Sequence, residues 1–202
     1  MNDKLQPERI TDTHAYFWNS VYSQWYTKKN LFQEDGIWYS NAEKYMMMKK
    51  AELMGDMDTW EKMKKIDNPR GIKALGREVK NWNEQLWNDH KEEIVTQANF
   101  LKFSQNPDLL HIMKEQKNLI LVEGSPVDPI WGVGLHFDDD LILFDEFAGL
   151  HAKLFFENCA EIFGINKACC FGGVCHRHSL TQQFGCPFKT QYSDEFLGSF
   201  SC

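Results

Sequence analysis

Hydrophobic and polar positions alternate along this chain in patterns that change several times before residue 135. Residues 16–39, "YFWNSVYSQWYTKKNLFQEDGIWY", are aromatic-rich and broken at Asp35-Gly36, which predicts two short extended segments joined by a turn. The next stretch, "SNAEKYMMMKKAELMGD", predicts a helix from about Asn41 to Leu53, ended by Gly55. Ser40 and Glu43 stand at capping-box spacing, with Ser40 as N-cap. Asn68-Pro69 marks a second start, for a short helix that falters near Gly76. Trp87, Ile94, Val95, Ala98 and Leu101 recur at helical spacing and predict the longest amphipathic helix, over about 83–104. Asn106-Pro107 opens another, running to about Gln116. "NLILVEG" then reads as a buried strand, and "SPVDPIWGVGL" as a loop stiffened by prolines and loosened by glycines.

Beyond Leu135, "LHFDDDLILFDEF" reads as an acidic turn and a strand, and "AGLHAKLFFENCAEIF" as a helix. Residues 164–202 have little periodicity and form a divergent, Cys-containing C-terminal appendage. All six cysteines lie at or beyond Cys159, and we read them as thiols. The cluster Cys170, Cys175, His176, His178 and Cys186 carries ligand types suited to zinc, but its spacing matches no recognised finger. No metal and no cofactor are therefore assigned.

Composition narrows the function in two ways. Aromatic residues make up 14% of the 202, enough for stacking surfaces as well as a core. The net charge of −7 argues against general attraction to duplex DNA, which needs clustered Lys and Arg, yet permits a pocket for one nucleotide. No apolar run approaches a membrane span and the start, "MNDKLQPERITDTH", is polar, so a soluble cytoplasmic protein is expected, with no membrane partner.

Four pieces stand out together: "FWNSVYSQWY", "SNAEKYMMMKKAELMGD", "IKALGREVKNW" and "VEGSPVDPIWGVGL". Their order and content resemble the NADAR family, also called YbiA-like, most clearly over residues 16–135. The resemblance implies a compact, predominantly helical α+β domain with a small β element, here taken as residues 1–163. It also implies hydrolysis of an N-glycosidic bond on a ribose that carries phosphate. The substrate would be an ADP-ribosylated base such as guanine, or a ribosyl-phosphate intermediate of the riboflavin pathway. The partner would thus be a nucleotide-like small molecule or ADP-ribosylated nucleic acid.

Breaking a C–N glycosidic bond builds positive charge on the ribose and needs a proton or hydrogen bond on the leaving base, tasks suited to carboxyl groups. Glu43 and Asp128 are the pair the resemblance singles out. At a helix start Glu43 is expected to be ionised, and a capping role is its alternative. Asp128 lies between Pro126 and Pro129 just past a strand; it is either catalytic or a turn aspartate bonding its own backbone. Lys50, two helical turns after Glu43, would meet a phosphate or form a Schiff base, unless it is merely exposed. Trp82 and Trp131 offer flat faces for a base or ribose, or serve the core. Gly132 and Gly134 admit a ligand to the backbone or permit a turn. Arg77 suits a phosphate or a surface ion pair, and Gln24 and Trp25 stand where ribose hydroxyls would be read.

Family members continue after Trp-Gly-x-Gly into Asn-x-x-Gly-x-x-Leu-Met on a closing helix. Here "EFAGLHAKLFFENCAEIF" keeps Gly149 but has Glu146 in place of the asparagine. Two alternatives follow: a non-catalytic module binding ADP-ribose or NAD derivatives, and an interaction protein dominated by its Cys/His tail.

Overall fold

The computed structural model describes residues 5–128 and 131–143. The appendage over 164–202, the closing segment with Glu146 and Gly149, and every cysteine lie outside the described residues. The fold is α+β. Two short strands, β1 (Arg9–Ile10) and β2 (His14–Phe17), pair antiparallel, and a second pair, β3 (Phe32–Glu34) and β4 (Ile37–Tyr39), forms a hairpin. Helices α1 (Ala42–Leu53), α2 (Met57–Lys64), α3 (Pro69–Arg77), α4 (Glu84–Ser104) and α5 (Pro107–Glu115) follow, and then β5 (Ile120–Glu123). Strand β5 returns to lie parallel to β2, with Phe17 opposite Glu123. The chain therefore closes one sheet across all five helices.

The hairpin turns on Asp35 and Gly36, both at positive φ (50° and 78°), the combination a two-residue type I′ turn requires. Helix α1 is the centre of the molecule and packs on α2, α3 and α4. Ala42 through Met48 are all buried, so the helix has no solvent stripe and little amphipathic signature. Its one lysine in that run, Lys44, is satisfied by Asp67 Oδ1 at 2.9 Å and the Lys64 carbonyl at 3.1 Å. A lone buried ammonium would be prohibitive, so this pairing is what admits Lys44 to the core.

Two local expectations are corrected. The N-cap of α1 is Asn41, whose side chain accepts from the Lys44 N–H at 2.8 Å, and Glu43 is left without a capping task. Asn fits the extended cap conformation as well as Ser, and its amide also donates to the Asp67 carbonyl, which fixes the choice. In place of the strand expected in "DLILF", Asp140–Leu143 form a single 3-10 turn with Ile142 buried against Tyr16 and Val122. A short apolar run serves either conformation, and here Ile142 packs against side chains of β2 and β5.

Candidate active site

The first turn of α1 carries Glu43 into the interior, where it is 2% exposed. Its backbone N–H donates to the Gln24 carbonyl at 3.0 Å, which ties the helix start to the loop after β2. From the same loop the Trp25 indole N–H donates to Glu43 Oε2 at 3.2 Å. The other oxygen, Oε1, is buried with no hydrogen-bond partner among the described residues. Burial pushes the carboxyl up to about 7; Lys73, the Trp25 hydrogen bond and Arg77 pull it down, and Asp128 pushes it up. The helix start alone favours an ionised Glu43, and burial is the compensation that a proton donor there requires. A helix start favours an anion by only about 0.3–1 kcal/mol, whereas desolvating a charge costs roughly several kcal/mol.

Asp128 reaches the same region from the loop after β5. Its Oδ2 lies 3.3 Å from the Lys73 ammonium, and its Oδ1 accepts the Trp131 backbone N–H at 3.0 Å. The turn bond and the contact with a charged neighbour coexist in one side chain. Gly132 is buried in this loop, and a Cβ there would stand 2.9 Å from the Asp128 carbonyl and 3.0 Å from Ser125 Cβ. Its need for glycine is satisfied by loop packing. Gly134 has φ of +73° with open space around it, a turn requirement.

Lys50 is not an exposed lysine. Its ammonium donates to the Gly76 carbonyl at 2.7 Å and lies 4.3 Å from the Trp82 ring centroid and 5.7 Å from that of Trp87. Burial pushes its pKa down, and Glu43 pushes it back up. Trp82 and Trp25 are 48% and 40% exposed, so each presents an open indole face. Trp131 is partly buried against the main core, and Arg77 is exposed at the end of α3. The Gln24 side-chain oxygen is buried without a partner among the described residues.

Two residues that sequence reasoning missed belong to this region. Lys73 stands one helical turn before Arg77 on α3, contacts Asp128, and lies 5.7 Å from the Trp25 ring centroid. Glu123 ends β5; burial pushes its carboxyl up to about 8, Asp128 and Glu43 add to the rise, and Lys73 and Lys102 oppose it. The only signal for Glu123 was a charge closing the apolar run "ILV", and for Lys73 its one-turn spacing from Arg77. Three carboxyl groups from α1, β5 and the following loop thus share one electrostatic neighbourhood with Lys73. Burial raises the proton affinity of two of them, Glu43 and Glu123, which suits proton transfer at a glycosidic nitrogen.

Residues 11–150 match the model of the NADAR domain family. The chain belongs to the NADAR family. It is 43% identical over 136 residues to "N-glycosidase R617" of Acanthamoeba polyphaga mimivirus, covering 62% of this chain and 80% of the viral protein. It is 41% identical over 99 residues to "Protein irg-1" of Caenorhabditis elegans, covering 48% of this chain and 47% of that protein. The NMR structure of the E. coli protein YbiA superposes with a TM-score of 0.60 at 20% identity, covering 81% of this chain and 94% of YbiA. That likeness shows a shared NADAR fold. No helix among the described residues is long and apolar enough to cross a membrane.

Proposed function

We propose that this NADAR protein is an N-glycosidase, a hydrolase that breaks the C–N bond between a ribose and a base. The observation that carries the reading is Glu43: a buried carboxyl, oriented by an indole donor, with one oxygen unpartnered among the described residues and a proton affinity raised by burial. The 43% identity to a protein named N-glycosidase supports it independently.

In the proposed reaction the protonated Glu43 donates from its free oxygen to the departing nitrogen. The C–N bonding pair leaves with the base and positive charge develops at the ribose carbon. Asp128, anchored by Trp131 and Lys73, supplies negative charge opposite and orients a water. Water adds its hydroxyl to the ribose carbon and returns a proton to Glu43, so the site is regenerated. The indole faces of Trp25, Trp82 and Trp131 suit a base and ribose, with Gln24 toward the hydroxyls and Gly132 and Gly134 shaping the loop. Arg77 and the two spare donors of Lys50 suit phosphate. The substrate class is an ADP-ribosylated base such as guanine, or a ribosyl-phosphate intermediate of the riboflavin pathway.

Mass-resolved product analysis tests this. Wild type and Glu43→Gln are incubated with ADP-ribosylated guanine oligonucleotide, NAD and ribosylated pyrimidine intermediates. Release of free base by wild type alone is expected and names the substrate. No release from any of them, with ADP-ribose still bound, would replace the enzyme by a binding module.

A further inference from the structure

Lys73 holds a position that the proposed reaction does not use directly. It projects from α3, the helix that packs against α1, and spans to the loop after β5. Its ammonium lies 3.3 Å from Asp128 Oδ2 and 5.7 Å from the centroid of the Trp25 ring. The Trp25 indole is itself bonded to Glu43 at 3.2 Å. One ammonium therefore adjoins both the Asp128 carboxylate, on the loop after β5, and the indole that orients the buried carboxyl. With side-chain exposures of 35% for Lys73 and 16% for Asp128, the lysine is half-open to solvent and the carboxylate largely covered, so screening is only partly reduced from that of an open ion pair.

We propose that Lys73 is a positioning residue that draws Asp128 toward Glu43 and supplies the positive charge which lets these carboxyl groups occupy one region. Like charges gathered in a partly buried site repel unless a cation lies among them. The other groups facing Glu43 are Arg77 on α3, Asp128 on the loop, Glu123 at the end of β5, Trp25 after β2, and Lys50 farther along α1. Lys50 is already engaged with the Gly76 carbonyl and the Trp82 ring, and Arg77 is exposed. Lys102 is buried, donates to the Ser23 carbonyl at 2.9 Å and acts on Glu123. Among the cations acting on Glu43, Lys73 is the largest influence, in keeping with its contact to Asp128.

The inference leans on the acid role proposed for Glu43, but its test does not need a substrate. Isotope-labelled glutamate carboxyl signals are followed by NMR through a pH titration of the full chain, with the Glu43 signal assigned by its loss in Glu43→Gln. Lys73→Met is expected to raise the Glu43 midpoint by about one pH unit. Lys73→Arg is expected to restore it, and Lys73→Gln, which keeps a donor without charge, to behave like Met. An unmoved midpoint in Lys73→Met and Lys73→Gln, or a Gln variant that titrates like wild type, would overturn the role of the charge. Failure of the glycosidase assay alone would leave this titration standing, so the two readings fail separately.

Discussion

Asp56 and Glu43 are two carboxyl groups of nearly equal burial, 5% and 2% exposed, at the starts of neighbouring helices. Their chemistry is opposite. Asp56 caps α2: its oxygens accept the Lys80 N–H at 2.9 Å and the Thr59 N–H at 3.1 Å. The Lys80 backbone bond, with the Thr59 bonds after it, holds its carboxyl down at about 2. Among the described residues Glu43 has one indole donor and an oxygen without a partner, and burial holds it up at about 7. Donor count and desolvation together separate a carboxyl built to hold structure from one kept available for a proton. An unfilled acceptor in the core costs free energy, and such a cost persists where the group has another task.

The sharpest way to break that contrast is activity. Glu43→Gln keeps the shape and removes the proton, so base release is expected to fall by about 10²–10⁴-fold. Asp56→Asn should leave the rate per folded molecule within reach of wild type and lower only stability. Equal loss of rate in both variants, measured at matched folded fraction, would erase the distinction.

Stability against pH inverts the pattern. The folded-state affinity of Glu43 for a proton is raised above its unfolded value near 4.5, so the native state is penalised as pH climbs from about 4.5 through about 7. Glu43→Gln removes that penalty. Urea unfolding should show the variant unchanged at pH 4 and more stable at pH 8, by on the order of 3 kcal/mol. Asp56 is depressed, so its stabilisation is present above about 3.8 and fades as pH falls through about 2. Asp56→Asn should therefore be destabilised at pH 7 and match wild type near pH 2. A Gln variant less stable than wild type at pH 8 would mean that Glu43 is held ionised by contacts of the Asp56 kind.

Gly132→Ala probes the scaffold of the acidic loop. The added methyl would meet the backbone of Asp128 and Ser125 at 2.9–3.1 Å, atoms that cannot swing aside. A loss of about 1–3 kcal/mol is expected, with kcat lowered because Asp128 shifts. Gly134→Ala is strained only by its positive φ, and a smaller effect there marks the difference.

Legibility in the sequence followed the range of the forces. Helices α1, α3, α4 and α5 begin at polar positions visible in the sequence: Asn41, one residue past the expected cap Ser40, then Asn68-Pro69, Asn83 and Asn106-Pro107, the last without a side-chain cap bond. The Asp35-Gly36 turn was equally plain, because its backbone demands those residues. Helix α2 was missed, since reading Gly55 as a terminator left the eight residues of Met57–Lys64 without a clear periodic run. Strand β1 is only two residues long and pairs with β2, while β2 finds its other partner, β5, more than a hundred residues away, so little that is local declares them. The site divides in the same manner. Glu43 and Asp128 were chosen through family resemblance. The Lys73–Asp128 contact spans 55 residues and the field on Glu123 comes from four other segments, so neither was readable before the fold brought them together.

The smallest expected effect concerns the one donor that Glu43 has among the described residues. Trp25→Phe keeps an aromatic ring beside Lys73 and deletes the indole N–H that Glu43 Oε2 accepts at 3.2 Å. That bond favours the ionised carboxyl, so its loss should raise the Glu43 midpoint further, by less than about one pH unit. Because Glu43 acts when protonated, the alkaline limb of the pH–rate profile should move to higher pH in this variant. The maximum rate should fall modestly at the same time, as the carboxyl loses its orienting partner. Binding of the base contributes to KM, whereas the limb in kcat reports the proton, and the two are separable in one set of profiles. A limb that stays in place while KM rises would assign Trp25 to stacking alone, and would leave Glu43 oriented by its helix and not by its neighbour.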